Sequence, residues 1–286
     1  SMPDAAYETF RLQLLAGDRE GAATTAVHVA RFLEAAQRNG GLSAASFRLW
    51  VEAEKVLGNS SRLERIVDDW ESQHPNDLLA QTEKRDQKIK RWRELLAARR
   101  PDPDALAALT VELANDPHSG VSWQDAAGRL WAAAETTPNA LVAIDRLMEY
   151  DVTSLMLEYL AARVAKAGHA ERAEALFRHA IASEPRRAVL WNNLAWVLLH
   201  RDLPDLTAAH DASMRACELA PNEPRFRETR GQIYLKLEQW PQAIADLEYA
   251  VGQMPDYREG RLSLARAYDA VGELEKAAEQ RRLARD

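Results

Sequence analysis

The chain has 286 residues, of which 12 are glycine and 12 are proline. These two helix-disfavouring types make up 24 of 286 residues, roughly 8% against about 12% in average proteins, which favours helix. Apolar residues make up 47% of the chain, enough for a core. Because a single globular core normally splits near this length, the sequence predicts either two domains or a stack of repeats.

The charge is acidic overall and unevenly distributed. Lys and Arg total 37 against 44 Asp and Glu, and residues 101–153 alone carry 2 basic and 9 acidic side chains. Because a nucleic-acid surface needs many cations to displace counterions, this balance argues against a nucleic-acid partner. No stretch approaches the roughly 18 apolar residues that a bilayer span needs, so the sequence predicts a soluble chain without membrane insertion.

The single cysteine, Cys217, excludes an intramolecular disulfide and a multi-thiolate metal site. No secretory pattern opens the chain. Ser1 ahead of Met2 is typical of a residue left by tag removal, which leaves a leader in the native protein open. The sequence therefore favours a cytoplasmic location without deciding it.

Residues 1–100 form the first predicted region, in which apolar residues recur every three or four positions, the helical period. The predicted helices span 5–16, 20–38, 43–57 and 61–73. A long, charged segment from Leu78 to Arg99 follows and is also predicted to be one helix, ended by the prolines Pro101 and Pro103.

This charged helix carries a basic patch over residues 83–100. Its basic residues are Lys84, Arg85, Lys88, Lys90, Arg91, Arg93, Arg99 and Arg100. Such a patch can contact an acidic partner or phosphate, but a solvated helix face is the simpler interpretation. A further alternative is that the patch faces the acidic residues 101–153 of the same chain, so its role stays open.

Residues 101–153 form the second predicted region, acidic and irregular. Asp102 before Pro103 and Thr137 before Pro138 each match a helix N-cap followed by a first-turn proline. The predicted helices span 103–115, 122–135 and 138–149.

Residues 154–286 repeat with a spacing of 34 to 36 residues. The small residues of three registers are Ala161, Ala195, Gly231 and Ala265; Ala173, Ala209, Ala243 and Ala277; and Ala180, Ala216, Ala250 and Ala284. Prolines close three units, at Pro185, Pro221 and Pro255. Small residues let two helices cross closely, and proline ends the second helix, so the pattern predicts helical hairpins.

We divide this region into four units, 154–187, 188–223, 224–257 and 258–286, the last one incomplete. The second unit is two residues longer than the first, and its extra residues fit best inside the turn Arg201–Asp205. Insertions in helical repeats belong in such loops.

These positions resemble the tetratricopeptide repeat (TPR) family, whose unit of 34 residues has small residues and a proline at the same places. The resemblance implies an all-α, right-handed α-solenoid of helical hairpins. It implies a regular C-terminal half and a degenerate N-terminal half. Two positions depart from the family pattern: Arg230, where an apolar residue is preferred, and Ser213, where a large one is preferred. Both are expected to loosen the local packing.

No pattern of catalytic, cofactor-binding or metal-binding residues is found. The seven histidines lack metal-ligand spacing, and the glycines form neither a phosphate loop nor a dinucleotide fingerprint. Cys217 follows Ala216 on a second helix, so we interpret it as a buried apolar side chain rather than a nucleophile. The sequence therefore predicts no enzyme activity, no cofactor and no metal ion.

In the TPR family, the first helices of the hairpins line a concave groove that suits a peptide. The resemblance places these partner-binding candidates there: Asn192, Asn193, Trp196, Leu199, Gln232, Leu235, Lys236 and Arg266. The asparagines can hydrogen-bond a peptide backbone, and Trp196 can anchor it, although Trp196 packed as core is an equal alternative. The other tryptophans are interpreted as structural.

Some family members hold acidic C-terminal tails in a clamp of Lys, Arg and Asn residues. This chain has Glu158, Ala162, Glu228 and Thr229 where cations would be needed. An acidic tail is therefore not the favoured ligand at this stage.

The leading hypothesis is a non-catalytic scaffold that binds a protein or peptide in the concave groove of residues 154–286. The first alternative is a structural subunit that self-associates into a homo-oligomer. The second is an enzyme, or the helical or regulatory domain of a larger enzyme or of a secretion or polysaccharide system.

Overall fold

The computed structural model describes residues 4–39 and 41–285 and, within them, consists of α-helices joined by turns, with no strand. The all-α prediction is confirmed. The chain forms two compact units, Ser1–Glu94 and Leu95–Asp286, with the boundary inside a helix. The further division of the second unit into an acidic region and a repeat region stays a prediction. No helix in the described ranges combines the length and apolarity needed to cross a membrane.

The first unit is built from α1 to α5. These helices are α1 Asp4–Ala16, α2 Arg19–Arg38, α3 Ala44–Leu57, α4 Ser60–Gln73 and α5 Leu78–Ala97, which crosses the boundary. Asp18 and Ser43 cap α2 and α3 by accepting hydrogen bonds from first-turn amides. Gly58 ends α3 in the left-handed conformation, φ 66°.

The core of the first unit is aromatic. Phe47 and Trp70 stack with ring centroids 4.5 Å apart, and both rings are buried. Part of the basic patch on α5 pairs within this unit. Lys84 contacts Asp68 at 3.2 Å and also Glu71, both on α4. These contacts give Lys84, one cation of the patch, a structural role in joining α5 to α4.

The second unit begins with three helices and a 3₁₀ turn: α6 Pro103–Asn115, α7 Trp123–Ala134, α8 Pro138–Arg146 and the turn Leu147–Glu149. Asp102 caps α6 through the amides of Asp104 and Ala105, as predicted. Thr137 occupies the N-cap position of α8, but its side chain makes no capping hydrogen bond. The helix predicted over 138–149 ends earlier, at Arg146.

Eight helices follow, in four helical hairpins. Their helices are α9 Ser154–Lys166, α10 Ala170–Ser183, α11 Ala188–His200, α12 Leu206–Leu219, α13 Pro224–Lys236, α14 Trp240–Gln253, α15 Arg258–Ala270 and α16 Leu274–Leu283. The small residues of all three registers are buried. The turn between α11 and α12 spans residues 201–205, whereas the turn between α9 and α10 spans 167–169, so the two extra residues lie where they were predicted.

The first helices of neighbouring hairpins, α9, α11, α13 and α15, contact one another in order. They therefore form one continuous surface, which we call the first-helix face.

Both departures from the family pattern have partners in the structure. Arg230 forms a two-pronged ion pair with the buried Asp246 of α14, with Nε to Oδ2 at 2.6 Å and Nη2 to Oδ1 at 2.9 Å. Ser213 is fully buried, and its hydroxyl donates to the His210 carbonyl at 2.8 Å. The expected loosening is therefore offset by hydrogen bonds at both positions.

Candidate functional site

The first-helix face contains a groove of about 690 Å³ that crosses three successive hairpins. We call it the central groove. Its lining residues are Leu199, His200, Arg201, Pro204, Gln232, Leu235, Lys236, Trp240, Glu259, Leu262, Ser263 and Arg266. Five of the eight predicted partner-binding residues are among them: Leu199, Gln232, Leu235, Lys236 and Arg266. The periodic register thus brings together residues from α11, α13 and α15.

The other three candidates, Asn192, Asn193 and Trp196, lie on α11 outside the lining of the central groove. Trp196 is 43% exposed, which contradicts the alternative that it packs as core. Its ring stacks on His200 with centroids 4.5 Å apart, and His200 lines the groove. The Trp196 ring therefore borders the groove through His200.

Two of the amide candidates are constrained by their surroundings. The Gln232 amide donates a hydrogen bond to Glu228 on the same helix, so part of its capacity is already used. The Oδ1 atom of Asn192 is buried and, within the described residues, accepts no hydrogen bond. Asn192 and Gln232 are thus both half-buried, and neither side-chain amide is a freely exposed group.

Sequence reasoning missed several lining residues. His200, Trp240 and Glu259 are brought to the central groove by the stacking of hairpins. Pro204 reaches it from the longer turn after α11. In the sequence, the two-residue insertion points to the turn that holds Pro204, whereas Trp240 is interpreted there as structural.

At the sequence level, Glu158 and Glu228 count as evidence against an acidic-tail ligand. In the structure, one is paired with a cation and the other is buried. Glu158 pairs with Arg187, the residue just before α11, Oε2 to Nη2 at 2.5 Å. Glu228 is only 5% exposed. Burial raises the pKa of Glu228 to about 7, the hydrogen bond from Gln232 acts in the opposite direction, and the charge of Glu259 raises it further. These two positions therefore present little negative charge to the first-helix face.

Two of the three Lys and Arg side chains that line the central groove carry an unpaired charge. Lys236 and Arg266 are exposed, and neither forms an ion pair with any residue in 4–39 or 41–285. The third cation, Arg201, is occupied by Glu174 at 3.0 Å and Asp205 at 3.5 Å. The unpaired cations of the groove are thus Lys236 on α13 and Arg266 on α15, and α15 also carries the exposed carboxylate of Glu259, which forms no ion pair with a described residue.

A second groove of about 530 Å³ lies around the start of the first-helix face. We call it the side groove. Trp123 of α7 and Tyr159 of α9 meet edge to face in its lining, with centroids 6.3 Å apart, and Arg163 lies 4.4 Å above the Tyr159 ring. Trp123 had been interpreted as structural. By contrast Trp50, Trp70, Trp92 and Trp131 are buried, as that interpretation predicts.

The described residues form neither a metal-binding cluster nor a reactive thiol site. No group of three or more His, Cys, Asp or Glu side chains among them is arranged to hold a metal ion. Cys217 is 5% exposed and packs against Ala216 and Phe226. Burial raises the pKa of its thiol, which disfavours the nucleophilic thiolate.

No family model and no curated protein sequence matches this chain. Among solved structures, one of MamA is 18% identical over 57% of this chain and 87% of its own, with a TM-score of 0.48. YrrB, described as a TPR protein with an unusual peptide-binding site, is 20% identical over 59% of this chain and 84% of its own, with a TM-score of 0.46. The hairpin fold of this chain is visible in its own helices, independently of these likenesses.

Proposed function

We propose that this chain, a helical-repeat protein of the tetratricopeptide type, is a non-catalytic scaffold that binds a protein or peptide segment on the first-helix face of residues 154–286. The observation that carries the proposal is the central groove, which joins α11, α13 and α15 and holds five of the predicted residues. Such an elongated surface, built from successive units, suits an extended or helical segment.

The lining chemistry supports a ligand that is apolar and anionic. Leu235 and Leu262, both half-buried, supply apolar surface for a large side chain, whereas Leu199 is buried. Lys236 and Arg266 supply two unpaired cations beside it, against one exposed carboxylate in the groove lining, Glu259, while Glu228 is buried. Because a charge-assisted hydrogen bond to a carboxylate is stronger than a neutral one, we propose a segment that combines Asp or Glu with large apolar residues.

The side groove extends the same chemistry along the face. Arg163 and Lys166 are exposed there, and no ion pair holds either of them within the described part of the chain. Trp196 supplies exposed aromatic surface on α11. We propose that a longer partner engages both grooves, with Trp196 and Asn193 as additional contacts.

The test is direct binding of labelled peptides, measured by fluorescence anisotropy. A panel pairs acidic–apolar peptides with sequence-matched basic–apolar ones, and we expect the wild-type chain to bind the acidic set. Lys236→Glu should weaken that binding at least about tenfold, because it replaces an attraction by a repulsion. Arg186→Glu, at another exposed arginine outside both grooves, changes the net charge equally and should leave binding unchanged.

Equal affinity for both peptide sets, or equal effects of the two variants, would contradict the proposal. Self-association is the competing role, and light scattering over a concentration series separates it. A scaffold of this kind keeps a constant apparent mass, whereas a self-associating subunit gains mass with concentration.

One sign of an enzymatic role is an acid of perturbed pKa that lines a groove. Glu228 has the raised pKa, but it is not among the residues that line the central groove, and its carboxylate accepts from Gln232. Burial is the leading cause of the shift. We therefore interpret Glu228 as a structural acid and propose no reaction.

A further inference from the structure

The side groove has a lining of its own, whose ligand the proposed scaffold role leaves open. One wall is a stripe along α9 whose residues recur every three or four positions: Leu155, Tyr159, Ala162 and Lys166. Trp123, the first residue of α7, supplies the facing aromatic ring. From Leu155 to Lys166 the stripe is about 16 Å long, because an α-helix rises about 1.5 Å per residue.

The size of the side groove favours an extended chain over a helix. A helix with its side chains is about 10 Å across, so a length of about 16 Å occupies roughly 1,300 Å³. The side groove has a volume of about 530 Å³. A polyproline II chain rises about 3.1 Å per residue, so about five of its residues cover the stripe.

Two aromatic rings form an apolar corner in the side groove. Trp123 and Tyr159 stand nearly perpendicular, with an interplanar angle of 79° and centroids 6.3 Å apart. Both rings are half-buried, and Leu155, one turn before Tyr159, is exposed. A Cβ atom built on Gly128 would lie 3.6 Å from Tyr159 Oη, so the Tyr159 ring lies across α7. The packing of α9 on α7 therefore holds the corner in place.

The unengaged polar groups of this corner can all donate hydrogen bonds. Neither Trp123 Nε1 nor Tyr159 Oη bonds to any residue in 4–39 or 41–285, and neither is among the buried unpartnered atoms, so both reach solvent. Arg163 and Lys166 are exposed and form no ion pair with a residue that the structure describes. The carboxylate of the lining, Glu158, is already paired with Arg187.

A proline-rich segment has the complementary chemistry. Proline carries a carbonyl acceptor but no backbone N–H, and the carbonyls of a polyproline II chain make no internal hydrogen bonds. Other residues would bring N–H donors to a groove whose free groups also donate. No strand in the described ranges offers an edge for pairing, so side chains must hold an extended ligand. Aromatic-lined grooves are a known surface for polyproline II segments.

We propose that the side groove binds a proline-rich segment of a partner protein in the polyproline II conformation, with an acidic residue beside the prolines. The proline rings pack on Trp123 and Tyr159, and Trp123 Nε1 donates to a carbonyl of the segment. The acidic residue pairs with Arg163 or Lys166. This inference rests on the proposed scaffold role and specifies the part of the partner that the side groove takes.

Fluorescence anisotropy of the full chain tests this with a labelled peptide of about five prolines and an aspartate at each end. Replacing alternate prolines by alanine restores N–H donors and should weaken binding at least about tenfold. Replacing the aspartates by lysines should weaken it to a similar degree. Equal affinity for the three peptides, or no binding of the proline peptide up to about 1 mM, would overturn the proposal.

Variants assign the binding to the side groove. Trp123→Phe keeps an aromatic ring but removes the N–H donor, so it should weaken binding of the proline peptide at least about threefold, with circular dichroism checking the fold. Lys166→Glu, at an exposed position, should weaken it at least about tenfold without risk to the core. Lys236→Glu is the matched control, the same charge reversal in the central groove, and should leave this affinity unchanged. Equal weakening by Lys166→Glu and Lys236→Glu would contradict the assignment.

The same experiments separate this inference from the scaffold role itself. If the acidic–apolar peptides bind in a manner that Lys236→Glu weakens, but the proline peptide does not bind, the central groove keeps its proposed role and this inference is wrong. If only the proline peptide binds, and Lys166→Glu weakens it, the inference stands and the role of the central groove is wrong. If neither peptide binds, both proposals are wrong.

Discussion

At the scale of the residue, Glu228 makes stability depend on pH. Its pKa is about 7 in the folded chain against an ordinary 4.5. Between these values the folded chain binds more protons than the unfolded one, so stability falls as pH rises through this window. The shift of about 2.5 units corresponds to a loss of roughly 3 kcal/mol above pH 7.

Glu228→Gln removes the ionisable group while keeping an acceptor for Gln232. We expect the free energy of unfolding at pH 8 to rise by up to about 3 kcal/mol, with little change at pH 4, where the wild-type acid is protonated in both states. Urea denaturation at the two pH values measures this. Glu275→Gln, at an exposed position, serves as the control. A gain of equal size at both pH values would show that the burial argument is wrong.

Gly231 has a steric role where two helices cross. A Cβ atom built there would lie 2.7 Å from Leu247 Cγ, because α13 and α14 cross closely at this point. Gly231→Ala should therefore lower stability by about 1–3 kcal/mol despite its better helix propensity. Gly252→Ala, also in a helix but with nothing within 4 Å of its Cβ, should instead stabilise by up to about 1 kcal/mol. Thermal unfolding of both variants compares them, and the same sign for both would contradict the contact.

At the scale of the element, the ion pair between Arg230 and Asp246 joins α13 to α14. Asp246→Ala leaves the largely buried guanidinium without its partner, so we expect a loss of about 3 kcal/mol. The double variant Arg230→Met, Asp246→Leu should recover most of that loss, because an apolar pair avoids burying charge. Chemical denaturation of the single and double variants shows whether Asp246 stabilises the fold by pairing with Arg230 or only by filling space. In the latter case, the double variant would be no more stable than the single one.

The helices and the spacing of the hairpins could be predicted from the sequence, because both depend on local or periodic patterns of residues. Ala195 and Gly231 are small because helices cross there, and that constraint recurs at every unit. The grooves depend on other information. Trp123 meets Tyr159 and Glu158 meets Arg187 only after the helices have stacked. The sequence therefore could not show that Glu158 is neutralised or that Glu228 is buried, and these two facts change the charge assigned to the groove.

At the scale of the whole molecule, the division into two compact units implies separable stability. Trp70 is 3% exposed and stacks on Phe47 in the core of the first unit. Trp70→Ala should cost about 3–5 kcal/mol. Hydrogen exchange of the full chain should show lost amide protection within residues 4–94 and unchanged protection within 154–285. Loss of protection in both regions would indicate that the chain unfolds as one cooperative unit.

The longer turn between α11 and α12 allows the lining of the central groove to change while the helical framework stays the same. Residues 201–205 take up the insertion without shifting the register of the helices around them, and Pro204 contributes to the rim of the central groove. Ligand preference can therefore diversify at this turn while the helical framework stays constant. In evolutionary terms, this makes the exposed residues 202–204 a site where new specificity can arise at little cost to folding, because Arg201 keeps its ion pair with Glu174 and Asp205 keeps the cap of α12.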